Sequence, residues 1–226
     1  VTILCNKLRG GAGGGLPSAD IRGLRGALLS VLRAGAQGRL HHQLCRAVSL
    51  LLGDVGIQDL LSDPQFAELP MPTVLELLGL IPLAGGWLKD AEVEQMQLLL
   101  LTLLDHACDP LAVPFPSAQL PVRDVPSESS TAYRTAVLSA ACHWVALPAA
   151  EGLTLSVLTE APCFAHMLRR MQSFFQGGAP DAPPAEVKLV FELCIAALDL
   201  EPTEEVFLDG DTSTGGRRTQ LGTSLP

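Results

Sequence analysis

The chain has 226 residues, of which 48% are hydrophobic and 17% are charged, and its formal net charge is −9. This composition excludes an intrinsically disordered chain, which combines low hydrophobicity with dense charge, and it excludes a collagen-like repeat. A chain of this length forms one large domain or two small ones with a substantial buried core.

A glycine-rich run opens the chain: residues 1–17 include Gly-Gly-Ala-Gly-Gly-Gly and are predicted to be a flexible lead-in. Residues 18–108 form the predicted N-terminal helical half, because apolar residues recur there at steps of three and four, the spacing of one helix face. Asp90 is predicted to cap the strongest of these helices. The predicted helices cover about residues 18–35, 39–52, 57–61, 73–81 and 90–108.

Five prolines and a serine-rich end mark residues 109–130 as a long exposed loop. Such a loop is a binding loop, a disordered insertion or a junction between two helical halves. Residues 131–202 form the predicted C-terminal helical half, in which Ser129 or Ser130 caps the first helix and Pro162 begins a later one. Residues 203–226, acidic and then rich in Gly, Ser and Thr, are predicted to be a disordered tail.

The fold class predicted from these patterns is all-α, with about seven to nine helices. Sustained alternation of β-branched and polar residues is missing, and Leu and Ala dominate over Ile and Val. In helix order, Leu/Ala content and Pro/Gly punctuation, residues 18–200 resemble an armadillo/HEAT-like helical repeat. The resemblance implies an irregular right-handed α-solenoid. An irregular helical bundle is the alternative, since no diagnostic repeat motif recurs.

Charge is distributed unevenly along the chain. Residues 1–46 hold seven basic residues and one acidic residue, a net +6, whereas the remainder holds 8 basic and 23 acidic residues, a net −15. The basic segment has no Phe, Tyr or Trp, and the acidic body repels phosphates, so direct nucleic-acid binding is not expected. The arginines are interpreted as a solvated helix face, or as a surface that docks on an acidic neighbour.

Catalytic and cofactor motifs are missing from the sequence, which has neither a G-x-x-x-x-G-K-[ST] run nor a G-x-S-x-G elbow. We therefore expect no cofactor, no small-molecule substrate and no enzymatic activity. The rival hypothesis is an enzyme or a metal-dependent helical domain that uses two pairs, each on one helix face: His41 with Cys45, and Cys163 with His166. The six cysteines lack a C-x-x-C pair, which favours structural thiols.

The favoured function is a scaffold or adaptor that binds a protein partner through a helical face. Trp87, Tyr133 and Phe175 are the predicted partner contacts, because aromatic residues dominate interface hot spots. Since the chain begins with Val1, we expect it to be the C-terminal part of a longer protein, whose upstream repeats are a second candidate partner. A third hypothesis is a fragment that is not stable alone.

The cysteine pattern favours a reducing compartment, so the expected location is intracellular, in the cytoplasm or the nucleus. No membrane span is predicted. The longest apolar run covers residues 98–104, whereas a spanning helix needs about 20 apolar residues.

Overall fold

The computed structural model describes residues 18–52, 56–84, 88–147, 155–176 and 184–199. The predicted lead-in, the predicted tail and Trp87 lie outside these residues. None of the described residues forms a strand, which confirms the all-α prediction for this part of the chain. The helices are α1 (Ser18–Arg33), α2 (Gly38–Leu50), α3 (Ile57–Leu61), α4 (Pro64–Ala67), α5 (Met71–Leu80), α6 (Asp90–Cys108), α7 (Thr131–Val145), α8 (Leu155–Glu160), α9 (Pro162–Phe175) and α10 (Pro184–Asp199), with a short 3-10 helix at Pro82–Ala84.

Local capping chemistry sets several helix ends. The hydroxyl of Ser130 accepts a hydrogen bond from the backbone N–H of Tyr133 (3.1 Å), so the predicted cap of α7 is confirmed. The predicted cap of α6 is wrong, because Asp90 is the first helical residue and Lys89 precedes it as the cap. The carboxylate of Glu92 accepts a hydrogen bond from the Lys89 N–H (3.2 Å), and it places negative charge at the positive end of the helix dipole.

Helix α7 occupies the centre of the fold and packs against α5, α6 and α10. Its Trp144 is fully buried, and the indole N–H donates a hydrogen bond to the carbonyl oxygen of Leu78 in α5 (2.7 Å). From α6, the buried side-chain amide of Gln97 donates to the carbonyl oxygens of Trp144 (2.9 Å) and Leu147 (3.1 Å). These bonds go to carbonyls at or just beyond the ends of α5 and α7, where the helix supplies few N–H donors of its own.

One cluster of buried side chains extends from Ile21 in α1 to Leu193 in α10. The predicted N-terminal and C-terminal helical halves therefore share a hydrophobic core, since α5 and α6 from the first half pack on α7 from the second. Within the described parts of the chain, no helix has both the length and the apolar character needed to cross a membrane.

The basic residues of α1 face acidic residues in and around α3 and α4. Arg25 is buried, and its guanidinium donates to the carboxylates of Asp59 (2.6 Å) and Asp63 (3.3 Å). Arg33, nearer the end of α1, pairs with Glu68. The acidic neighbour of these arginines is therefore a segment of the same chain.

Residues 109–130 form no helix, and they pack against the helices of the protein. Leu120 is fully buried in the core, and the backbone N–H of Arg123 donates to the carbonyl oxygen of Ala67, the last residue of α4 (3.2 Å). The buried ring of His106 lies within hydrogen-bonding distance of the carbonyl oxygens of Val113 (2.8 Å) and Pro126 (3.2 Å). The segment is thus a packed connection that joins α6 to α7.

A buried ion network fastens α10 to α7 and α9. Glu186 of α10 is buried, and its carboxylate accepts hydrogen bonds from the guanidinium groups of Arg134 in α7 (3.2 Å) and Arg170 in α9 (2.7 and 3.0 Å). Arg134 also donates to the hydroxyls of Ser129 and Thr131. The carboxylate of Glu186 therefore joins guanidinium groups from two other helices.

Candidate functional site

Potential metal ligands meet where α2 packs against α5. His41 and Cys45 are four residues apart on α2 and share one helix face, as their spacing predicts. Thr73 and Glu76 are three residues apart on α5 and lie opposite them. Sequence patterns alone do not single out Glu76, because a single glutamate on a helix is ordinarily a solvated residue.

The geometry of this cluster is compact. The Nδ1 atom of His41 lies 2.8 Å from Oε2 of Glu76, and the Nε2 atom lies 3.0 Å from the Thr73 hydroxyl and 4.0 Å from Sγ of Cys45. The second carboxylate oxygen of Glu76 lies 2.8 Å from Nδ1 of His42. One nitrogen, one sulfur and one oxygen donor, from His41, Cys45 and Glu76, all lie within 4.8 Å of one another.

The burial of the three side chains differs. Cys45 is fully buried, and this burial, followed by the negative charge of Glu76, raises the pKa of its thiol to about 12. Cys45 is therefore protonated at neutral pH. The Glu76 side chain is 30% exposed, and Glu76 and His42 line a groove of about 330 Å³ between α5 and α7. The groove gives a small ion a route from solvent to the carboxylate.

The other predicted pair, Cys163 and His166, lies on α9. The backbone N–H of Cys163 donates to the carboxylate of Asp105 (2.6 Å), and burial, followed by a hydrogen bond with Asp105, raises the pKa of its thiol. Burial, followed by the charges of Arg134 and Arg170, lowers the pKa of His166. Within the described residues, His41, Cys45 and Glu76 form the one cluster of three or more such ligands, so the two predicted pairs do not build a joint site.

The predicted partner contacts have different environments. Tyr133 is only 6% exposed, its ring contacts His106 edge to face (6.1 Å between centroids), and burial raises the pKa of its hydroxyl. Its place in the core leaves little of it for a partner to contact. Phe175, in contrast, is 65% exposed.

Phe175 belongs to a group of exposed apolar side chains on α9 and α10, which we call the aromatic patch. Its ring packs edge to face against Phe174 (5.5 Å between centroids) and against Phe191 of α10 (6.1 Å). Leu168 and Ile195 continue the same faces at helical spacing. All five side chains are more than a third exposed, so the patch is an apolar surface contributed by two helices.

Comparison of the chain with protein-family models, with curated proteins and with solved structures finds no match. The function therefore has to be inferred from the geometry of the chain's own residues.

Proposed function

We propose that this chain is a non-enzymatic protein–protein interaction module that binds a protein partner through the aromatic patch. The observation that carries the proposal is the exposure of Leu168, Phe174, Phe175, Phe191 and Ile195 on the adjoining faces of α9 and α10. Contiguous exposed apolar surface of this kind marks interaction sites in proteins that otherwise bury such side chains.

The energetics favour Phe175 as the central contact of this patch. Fully burying a phenylalanine side chain contributes about 1.5–3 kcal/mol, and Phe175 has most of its surface left to bury. Its ring is already held between Phe174 and Phe191, so a partner would order few additional rotamers on binding. A fixed aromatic anchor with further apolar side chains around it is typical of an interface hot spot.

The proposed architecture is an irregular armadillo/HEAT-like right-handed α-solenoid in an intracellular protein. Contacts between helices in chain order support it: α1 packs on α2, α2 on α5, α5 on α7 and α7 on α10. In such stacks the last helical layer exposes an apolar face unless another element covers it. The aromatic patch lies on the last two described helices, so the proposed partner contributes an apolar helical face that continues the stack.

A photo-crosslinking amino acid at position 175 of the full chain tests the proposal in cells. The matched control is position 111, because Leu111 is also a large apolar residue, is 96% exposed and belongs to the 109–130 segment and not to α9 or α10. We expect a crosslinked protein partner from position 175 and none from position 111. Phe191→Ser, which removes an adjoining ring without changing position 175, should abolish that adduct.

The proposal fails if positions 175 and 111 give the same adducts, or if position 175 gives none although circular dichroism shows that the protein is folded. It also fails if Phe191→Ser leaves the adduct unchanged, because the patch would then not be the binding surface.

A further inference from the structure

We propose that His41, Cys45 and Glu76 bind a zinc ion between α2 and α5, with a water molecule as the fourth ligand. Three different donor types from two helices converge within 4.8 Å, and together they form a set that zinc accepts. The site is separate from the aromatic patch, which lies on α9 and α10, so it goes beyond the proposed interaction function.

One nitrogen of the imidazole binds the ion, and the contacts favour Nδ1, because Oε2 of Glu76 lies 2.8 Å from Nδ1 whereas the Thr73 hydroxyl lies 3.0 Å from Nε2. In a tetrahedral site with Zn–N and Zn–O near 2.0 Å and Zn–S near 2.3 Å, the nitrogen is separated from the oxygen by roughly 3.3 Å and from the sulfur by roughly 3.6 Å. One donor atom from each of the three residues lies within 4.8 Å of the others, so small side-chain rotations bring them to these separations. Because His41 and Cys45 are on one helix at i and i+4, α2 holds these two ligands close together before any ion arrives.

The ligand chemistry selects the ion. Thiolate and imidazole ligands suit zinc, whereas magnesium and calcium prefer sites built entirely of oxygen ligands. When zinc binds, the Cys45 S–H bond breaks, an S–Zn bond forms and the proton goes to solvent. The thiolate of Cys45 and the carboxylate of Glu76 then balance the two positive charges of the ion, so the loaded site is neutral.

Neighbouring side chains support this ligand set. His42 lies 2.8 Å from the second carboxylate oxygen of Glu76 and acts as a positioning residue that fixes the orientation of the ligand. The Thr73 hydroxyl lies 3.0 Å from Nε2 of His41 and fixes the orientation of the ring, which leaves Nδ1 for the ion. The groove lined by His42 and Glu76 gives solvent access to the Glu76 ligand.

The full chain, stripped of metal with a chelator and titrated with Co²⁺ alone, provides the test. We expect one equivalent of Co²⁺ to give a thiolate-to-metal charge-transfer band and the visible spectrum of a tetrahedral ion. Added Zn²⁺ should displace it. In a separate melt, Zn²⁺ at about 100 times its dissociation constant should raise Tm by roughly 5–10 °C, since the ion joins two helices of the folded state.

Two variants locate the ion. Cys45→Ala should abolish the charge-transfer band. Glu76→Gln removes the charge of a partly exposed side chain but keeps its shape, and it should weaken Co²⁺ binding by at least about tenfold. The matched control is Cys194→Ala, which removes a half-buried cysteine from α10 and should leave the titration unchanged.

The absence of a charge-transfer band with the parent protein would overturn the proposal. A band of full intensity in Cys45→Ala would also overturn it, because the ion would then be held by another cysteine. If Cys45→Ala does not fold, Glu76→Gln decides: unchanged affinity refutes the site, and a tenfold or greater loss supports it. None of these results depends on the aromatic patch, so the two proposals fail independently.

Discussion

Removing the charge of Glu186 should destabilise the protein far more than removing the charge of a surface glutamate. Glu186 is only 4% exposed at its side chain and neutralises Arg134, which is also buried. After Glu186→Gln, the buried guanidinium of Arg134 keeps its charge but loses this carboxylate. Removing one partner of a buried ion pair costs about 3–5 kcal/mol. Glutamine keeps one acceptor oxygen, so we expect the lower end, about 3 kcal/mol.

Urea denaturation followed by circular dichroism measures this loss. With a slope of about 2 kcal/mol per molar urea, the midpoint should fall by roughly 1.5 M. The matched control is Glu192→Gln on the same helix, which breaks an exposed i,i+4 pair with Lys188 (3.1 Å). That pair contributes about 0.3–0.5 kcal/mol, so its midpoint should move by roughly 0.2 M.

A double variant separates charge from packing. If the cost comes from surplus positive charge, adding Arg134→Met to Glu186→Gln should recover part of the lost stability, because the buried positive charge is then gone. Equal midpoint shifts for Glu186→Gln and Glu192→Gln would refute the reasoning. Further loss in the double variant would show that the Arg134 contacts with Ser129 and Thr131 matter more than its charge.

Three further outcomes follow from single contacts. Trp144→Phe leaves the Leu78 carbonyl without its indole donor and should cost about 1–3 kcal/mol in urea denaturation. Ser130→Ala removes the cap of α7 and should cost about 0.5–2 kcal/mol in the same assay, whereas no loss would mean that the hydroxyl does not cap the helix. Burial and the neighbouring arginines lower the pKa of His166 in the folded protein. As the pH falls below the ordinary histidine pKa of about 6.5, His166 therefore takes up a proton more readily in the unfolded chain than in the folded one. Stability should therefore fall as the pH drops from 7 to 5, and His166→Gln should make the fall in Tm shallower.

Helix positions could be predicted from the sequence because they depend on local patterns. Apolar spacing and the Pro and Gly signals place helices where the structure has α2, α5, α6 and α9. The same patterns do not tell which helices become neighbours. The aromatic ring of Tyr133 predicts a partner contact, whereas the structure places the residue in the core, because three other helices pack on α7. Periodicity identifies an apolar face but not the amount of surface that packs around it.

The candidate metal cluster shows the same division between local and long-range information. The pairing of His41 with Cys45 could be predicted, since both lie on one helix four residues apart. Glu76 could not, because it is 31 positions beyond Cys45 and reaches the cluster only through the packing of α2 on α5. Cys163 and His166 are the same two ligand types, but their helix, α9, packs on α6, α8 and α10 and not on α2 or α5. The pairing of Arg134 with Glu186, 52 positions apart, likewise depends on helix packing that local sequence patterns do not specify.

The central position of α7 has a consequence for the order in which the chain folds during synthesis. The Trp144 indole bonds to Leu78, 66 positions earlier. The surfaces of α5 and α6 that pack on α7 therefore stay uncovered until the ribosome has made α7. At 5–20 residues per second, the interval between the end of α6 and the end of α7 lasts roughly 2–7 s. During that time two apolar helix faces are exposed to chaperones and to other nascent chains. A transcript that stops before Thr131 would make this exposure permanent, and its product would be a substrate for aggregation or degradation.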